Sequence, residues 1–434
     1  MSARRTRKSD ACNDDTIDAF PVADVASVRR RRKLDACDET VDDWPEPDLD
    51  EAVDLVMQLM AIPGGSGREG AVAEFVVSKL QKAGLKPAAI RHDTAHKRSI
   101  LGGELGNLIV RLPGTLRRPR RLLMAHLDTV PICLNARPVL RGDFIHAADD
   151  HTGLGADNRA GVAAVLLAGL EILRRKLPHP PLTLFFPVQE EVGLHGVRNA
   201  SFGLLGKPKI AVNFDGGSPF KATIGATGGY RLTIEIAGRA SHAGNHPELG
   251  VSAIAIAAVA IADLHRGGWH GLIEKGRRRG TSNFGVIEGG QATNVVTDRV
   301  LIRAEARSHD PQFRQRIVQE IEQAFEAAVD EVVAADGRRG SVHFDGRLDY
   351  ESFRLADNDK SLREAEGAIL SVGGQPVRTV TNGGLDANWM TARGIPTVTL
   401  GCGQLNQHTV DEQLSVPDYY QACRIALRLA TGEA

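Results

Sequence analysis

Residues 121–128 read Arg121-Leu122-Leu123-Met124-Ala125-His126-Leu127-Asp128, an apolar run that turns polar without a break. The run has the length of a short buried strand. His126 and Asp128 then stand at its carboxyl end, where open α/β sheets build their sites. Alternate side chains share a face, so the Asp128 carboxylate can accept one imidazole N–H of His126 and leave the other nitrogen for a metal. A His-x-Asp triplet alone decides nothing, but the chain repeats the arrangement.

Short apolar strands are expected at 107–112, 182–188 and 210–214, with a helix over 160–175, which is the pattern of a layered α/β sheet. The strand at 182–188 delivers Glu190 and Glu191, and the one at 210–214 delivers Asp215. Gly155-Ala156-Asp157-Asn158-Arg159-Ala160-Gly161 places an acid in a glycine-flanked turn before the helix. Read singly, Asp157 is a helix N-cap and the glutamates are a solvated loop. Read together with His408, these residues can hold two metal ions and a water.

Carboxylate and imidazole ligands suit zinc, and two ions roughly 3.5–4 Å apart can clamp a carbonyl and supply hydroxide near neutral pH. Charge supports a pair of ions. Asp128, Asp157, Glu190, Glu191 and Asp215 would crowd one pocket, and each like-charge pair at 4 Å costs about 4 kcal/mol at an effective dielectric near 20. Two divalent ions offset that repulsion where one would leave the pocket anionic.

Before this body, a helix is expected over 49–60, then a break at Gly64-Gly65-Ser66-Gly67 and a second helical pattern to Gly84. From about Ala222 the pattern changes. Strand 230–236, helix 251–265, strands 281–287 and 295–307, helix 313–333 and strand 340–349 give β-α-β-β-α-β, the order of a two-layer domain inserted as a lid. Helix 361–372, strands near 377–380 and 397–400, and helix 418–430 resume the first pattern. The expected division is a tail at 1–46, a catalytic domain at 47–222 and 353–434, and a lid at 223–352.

The tail contains a duplication. Lys8-Ser9-Asp10-Ala11-Cys12 returns as Lys33-Leu34-Asp35-Ala36-Cys37, each after an arginine cluster and before acids ending in Phe20-Pro21 or Trp44-Pro45. Blocks of charge with few apolar residues read as disordered, and the duplication suggests a short motif for an unknown protein partner. The 434 residues have a formal net charge of -1 and 5% aromatics, which argues against nucleic acid. Five cysteines without CxxC spacing, no apolar run of about 18 residues and no secretory pattern lead to the expectation of a cytoplasmic protein away from membranes.

The ordered set His126-Leu127-Asp128, Gly155 to Gly161, Glu190-Glu191-Val192-Gly193, Asp215-Gly216-Gly217 and His408 resembles the peptidase T, glutamate carboxypeptidase and aminoacylase family of di-zinc metallohydrolases, over about residues 48–434. The resemblance implies an α/β, mixed-sheet catalytic domain with the inserted β-α-β-β-α-β lid serving in dimerisation. It also implies that Asp157 bridges two divalent ions, Zn2+ with Co2+ or Mn2+ as alternatives. His126 and Asp215 would complete one site, and Glu191 and His408 the other. Glu190 would be the general base for a metal-bound hydroxide, Asp128 would support His126, and a non-proline cis peptide would follow Asp157. Sequence physics alone does not say which of Glu190 and Glu191 does which.

Within the lid, Gly238-Arg239-Ala240-Ser241-His242-Ala243-Gly244 resembles the family segment whose histidine contacts the substrate carbonyl, often from the partner subunit, which implies a homodimer through the lid. Asn294 and Arg307 resemble substrate-positioning residues, Arg307 for a carboxylate. The tripeptide-cleaving branch looks closest, so short peptides are the implied substrates. Asn158 and Arg159 depart from that branch, which commonly has an acid and a lysine there. Alternatives are an N-acyl amino acid deacylase or carboxypeptidase of the same family, or an inactive metal-binding scaffold.

Overall fold

The structure is a computed structural model that describes residues 45–432. The duplicated motif, with Cys12 and Cys37, lies outside these residues apart from Pro45 and Glu46. The frame is a nine-stranded mixed sheet. Its path runs Ile90–His92, Leu108–Leu112, Leu182–Phe186, Arg121–Met124, Ile210–Phe214, Thr397–Leu400, Lys221–Ala226 and Phe353–Arg354, with Val377–Thr381 also paired to Lys221–Ala226. The four strands from Leu182–Phe186 to Thr397–Leu400 run parallel and are buried at every residue. That burial explains their continuous apolar runs, because helices or loops cover both faces.

Alternation sorts the strand residues between two cores. Leu123, Leu184, Phe186 and Val212 face helices Leu49–Met60, Gly70–Lys82, Ala156–Arg175 and Val416–Thr431. Leu122, Met124, Phe185 and Ala211 pack on the other side with Val197, Leu205 and Met390. Helix Ala156–Arg175 is wrapped by these elements and buried at almost every residue from Asn158 to Ile172. Gly161 lets it press against the sheet, since a Cβ there would lie 2.2 Å from the Phe214 carbonyl oxygen. This close approach brings the turn bearing Asp157 to the strand end bearing Asp215.

The expected boundary at 222/223 falls inside strand Lys221–Ala226, which belongs to the nine-stranded sheet. The change of sheet comes after it. An antiparallel five-stranded sheet follows, ordered Gly271–Lys275, Arg278–Gly289, Arg299–Ser308, Gly228–Ala237 and Ser341–Tyr350. Burial in Arg299–Ser308 alternates, and Val300, Ile302 and Ala306 meet Ile256, Ala260, Ile317, Ile321 and Phe325 of helices Ala253–Arg266 and Pro311–Glu331. The edge strand Gly271–Lys275 is an addition to the expected β-α-β-β-α-β order. Its Leu272 is exposed and only Ile273 is buried, so no alternation announces it.

A third sheet, also not anticipated, pairs the hairpin Pro138–Arg141/Phe144–Ala147 with Gln413–Ser415 and Gln404–Leu405. It frames the loop that carries His408. Among the described residues Cys133, Cys402 and Cys423 are free, and no helix is long and apolar enough to cross a membrane.

Candidate active site

The strand ends converge on one cluster. His126 is buried, with Nδ1 3.1 Å from the Asp128 carbonyl and 3.4 Å from Asp128 Oδ1. With Nδ1–H directed there, Nε2 is left facing Asp157 Oδ1 at 3.2 Å and Asp215 Oδ2 at 4.0 Å. Asp128 also orders the next strand end, accepting from the amides of Glu190 (3.0 Å) and Glu191 (3.2 Å) and from Ser66 Oγ (2.6 Å). The buried Arg159 braces this region from beneath through the carbonyls of Leu127, Gly64 and Ile62.

On the other side of Asp157, His408 Nε2 lies 3.4 Å from Asp157 Oδ2 and 3.0 Å from Glu191 Oε2. Three sets of donor atoms are close enough to hold an ion: His126–Asp157–Asp215, Asp157–Glu191–His408 and His126–Glu190–Glu191. Asp157 belongs to the first two, with one oxygen turned to each histidine. The peptide bond after it is cis.

The donor set suits divalent cations. Burial pushes the carboxyls of Glu190 and Asp215 well above the usual range, and neighbouring anions push the same way. Burial raises Glu191 as well. Burial would also raise Asp157, but its bonds to His126 and His408 hold it below the ordinary carboxylate value. Hydrogen bonds to Asp157 and Glu191 lift His408 to about 10. A cluster that balances crowded acids with shared protons is one in which metal ions can take the protons' place.

His242, Asn294 and Arg307 are arranged differently. His242 is exposed, and its Nδ1 accepts from the amides of Gly244 and Asn245 at 3.1 Å. Asn294 is exposed on the neighbouring loop, where its carbonyl accepts from Ala243 N–H at 2.9 Å. No hydrogen bond or ion pair among the described residues links either to the cluster. Arg307 makes a two-point contact with Glu305 at 2.9 and 3.0 Å, and its Nη1 is 3.5 Å from the Asn382 carbonyl. Its fork is thus already engaged.

Glu412, Glu69 and Asp386 are buried acids beside the cluster to which the sequence reading gave no role. Glu412 accepts from the amides of Leu154, Gly155 and Asp157. Glu69 accepts from the amides of Gly67 and Gln189 at 2.8 and 3.0 Å, and burial pushes it up to about 7. Asp386, in the first turn of helix Asp386–Ala392, has both carboxylate oxygens buried without a partner among the described residues and is pushed up to about 7, chiefly by burial.

The sequence pattern of peptidase family M20/M25/M40 matches residues 122–432. The uncharacterized protein YqjE of Bacillus subtilis is 30% identical over 381 residues, which is 86% of this chain and 95% of that protein. A tripeptidase from Staphylococcus aureus shares the fold with a TM-score of 0.80 at 28% identity, covering 89% of this chain and 99% of its own. The aminopeptidase PepT from Bacillus cereus does so with a TM-score of 0.78 at 29% identity, covering 89% and 98%.

Proposed function

We propose, from the premise that this chain belongs to peptidase family M20/M25/M40 and is a hydrolase of peptide bonds, that it is a peptidase T-like aminopeptidase of short peptides working with two divalent metal ions, Zn2+ first. One observation carries the reading: the two oxygens of Asp157 face different histidines, Oδ1 at 3.2 Å from His126 and Oδ2 at 3.4 Å from His408. One carboxylate can therefore serve two triads. His126 and Asp215 would complete one, and Glu191 and His408 the other.

Ions bound there would polarise the scissile carbonyl and lower the pKa of water toward neutrality. The remaining work falls to the protein. Asp128 fixes His126 and, through the amides of Glu190 and Glu191, the loop that bears the base. Glu190, half-buried and of raised proton affinity, would take a proton from water onto its carboxylate and return it to the departing amine. The polypeptide from Gly228 to Tyr350 would act as lid and dimer element, with His242 offered to a substrate carbonyl and Asn294 and Arg307 positioning the peptide. For Arg307 to receive a carboxylate, the substrate must displace Glu305.

The deciding assay follows amine release from tripeptides, dipeptides and N-acyl amino acids by metal-stripped protein and by protein restored with Zn2+ or Co2+. Release from tripeptides that needs metal, with kcat lowered about 10²–10⁴-fold in Glu190→Gln at unchanged metal content, is the expected result. Release from acyl substrates alone would assign a deacylase instead. Two bound ions with no turnover would point to the scaffold reading.

A further inference from the structure

The loop between strands Gln404–Leu405 and Gln413–Ser415 presents His408, and its last residue reaches across to the turn that presents Asp157. Glu412 is 2% exposed. Its Oε2 accepts from the amides of Leu154 at 2.8 Å and Gly155 at 2.7 Å and from Cys133 Sγ at 3.3 Å, while Oε1 accepts from Asp157 N–H at 2.9 Å. Four donors on one carboxylate are what a buried charge needs in place of water. None of the three amides has another acceptor among the described residues.

The contact is tight and the loop behind it is braced. A Cβ on Gly153 would lie 2.7 Å from Cys133 Sγ, 3.0 Å from the Thr409 carbonyl oxygen and 3.2 Å from Glu412 Oε2. Thr409 Oγ1 donates to the Asn406 carbonyl at 2.7 Å and accepts from Asp411 N–H at 3.2 Å, and Asn406 Nδ2 donates to the Asp411 carbonyl at 3.2 Å. Asn406 and His408 both sit at positive φ, +54° and +64°. A displacement of Glu412 would therefore be passed to His408 at one end and to Asp157 at the other.

We propose that Glu412 is the positioning residue that keeps Asp157 and His408 in register, so that the Asp157–Glu191–His408 triad holds its ion only while Glu412 is seated. It acts through backbone amides and touches neither ion nor substrate. The inference rests on the reading of Asp157 and His408 as metal ligands. Glu412→Gln discriminates within the carboxylate's four contacts. Its single carbonyl oxygen satisfies most donors by staying with Leu154, Gly155 and Cys133, which turns the amide NH2 against Asp157 N–H. The bond lost is the one to the shared ligand.

The test is titration of metal-free, full-length protein with Co2+, followed by calorimetry and visible absorption, on the wild type, Glu412→Gln and Gly153→Ala. Gly153→Ala removes no carboxylate and wedges the loop that carries Glu412 away from the turn. In both variants the second equivalent of Co2+ is expected to bind about 10–100-fold more weakly with the first retained. At saturating metal, kcat should fall without a matching rise in KM. A wild type that never takes two equivalents would sink the two-metal reading itself. A wild type that takes two, with both variants unchanged, would overturn the role of Glu412 alone. Equal weakening of both equivalents, or variants that circular dichroism shows to be unfolded, would also overturn it by making Glu412 a scaffold residue.

Discussion

On one side of Asp157 the side chains of His126 and Asp215 are 2% and 9% exposed, whereas on the other the side chain of His408 is 52% exposed and comes from a loop with left-handed backbone. The first triad grows from strand ends in the middle of a buried parallel sheet, and its histidine is backed by an aspartate. The second is completed by a loop fastened at its far end. The difference teaches that one sheet can supply a pre-set ligand group, while a second group sharing a member with it must be assembled from a separate part of the chain. Pre-organisation is expected to give the buried triad the tighter ion.

The strongest way to break this comparison is to remove what the triads share. Asp157→Ala should lose both ions and bring peptide hydrolysis to background, as measured by metal analysis and turnover on the same sample. Retention of one ion at wild-type affinity would show that Asp157 does not bridge. A smaller effect sharpens the contrast. Asp128→Asn disturbs the partner of His126 Nδ1, and metal affinity should weaken about 10–100-fold, more at the buried triad than at the exposed one. Equal loss at both, seen by competition with a chelator, would mean that its bonds to the Glu190 and Glu191 amides matter more than its contact with His126.

The effect that is smallest per step, one pH unit at a time, concerns protons. Held at about 10 by Asp157 and Glu191, His408 is protonated at neutral pH in the metal-free protein and must be neutral to bind an ion. Metal binding at that triad therefore releases a proton, and affinity should rise about tenfold per pH unit from neutrality toward pH 10. Calorimetry in two buffers of different ionisation enthalpy would detect the release. In His408→Ala the released protons should fall by about one. No change would place the proton elsewhere in the cluster.

What the sequence revealed follows the same division. Ile210–Phe214 and Thr397–Leu400 were legible to the residue because strands buried on both faces are mostly apolar and β-branched, with only Asn213, Thr397 and Thr399 polar. The residues at their ends were legible because a polar side chain directly after such a run has few reasons to be there. Gly271–Lys275 was not, with one buried residue in five, nor were the short strands of the third sheet. Glu412 and Asp386 were hidden for another reason. What gives Glu412 its importance is a turn more than 250 positions away, and no periodicity within the loop encodes that. The tail motif up to Trp44 falls outside the described residues, and among those residues His242 and Asn294 stand together without a bond to the cluster.

Strand Thr397–Leu400 lies between Ile210–Phe214 and Lys221–Ala226, so a segment made more than 170 residues after both neighbours fills the place between them. Until that segment leaves the ribosome, two hydrophobic strand edges stay open and His408 is absent. A nascent chain of this kind is exposed to mispairing until Thr397–Leu400 emerges, and the cluster around Asp157 cannot be completed before His408 follows it.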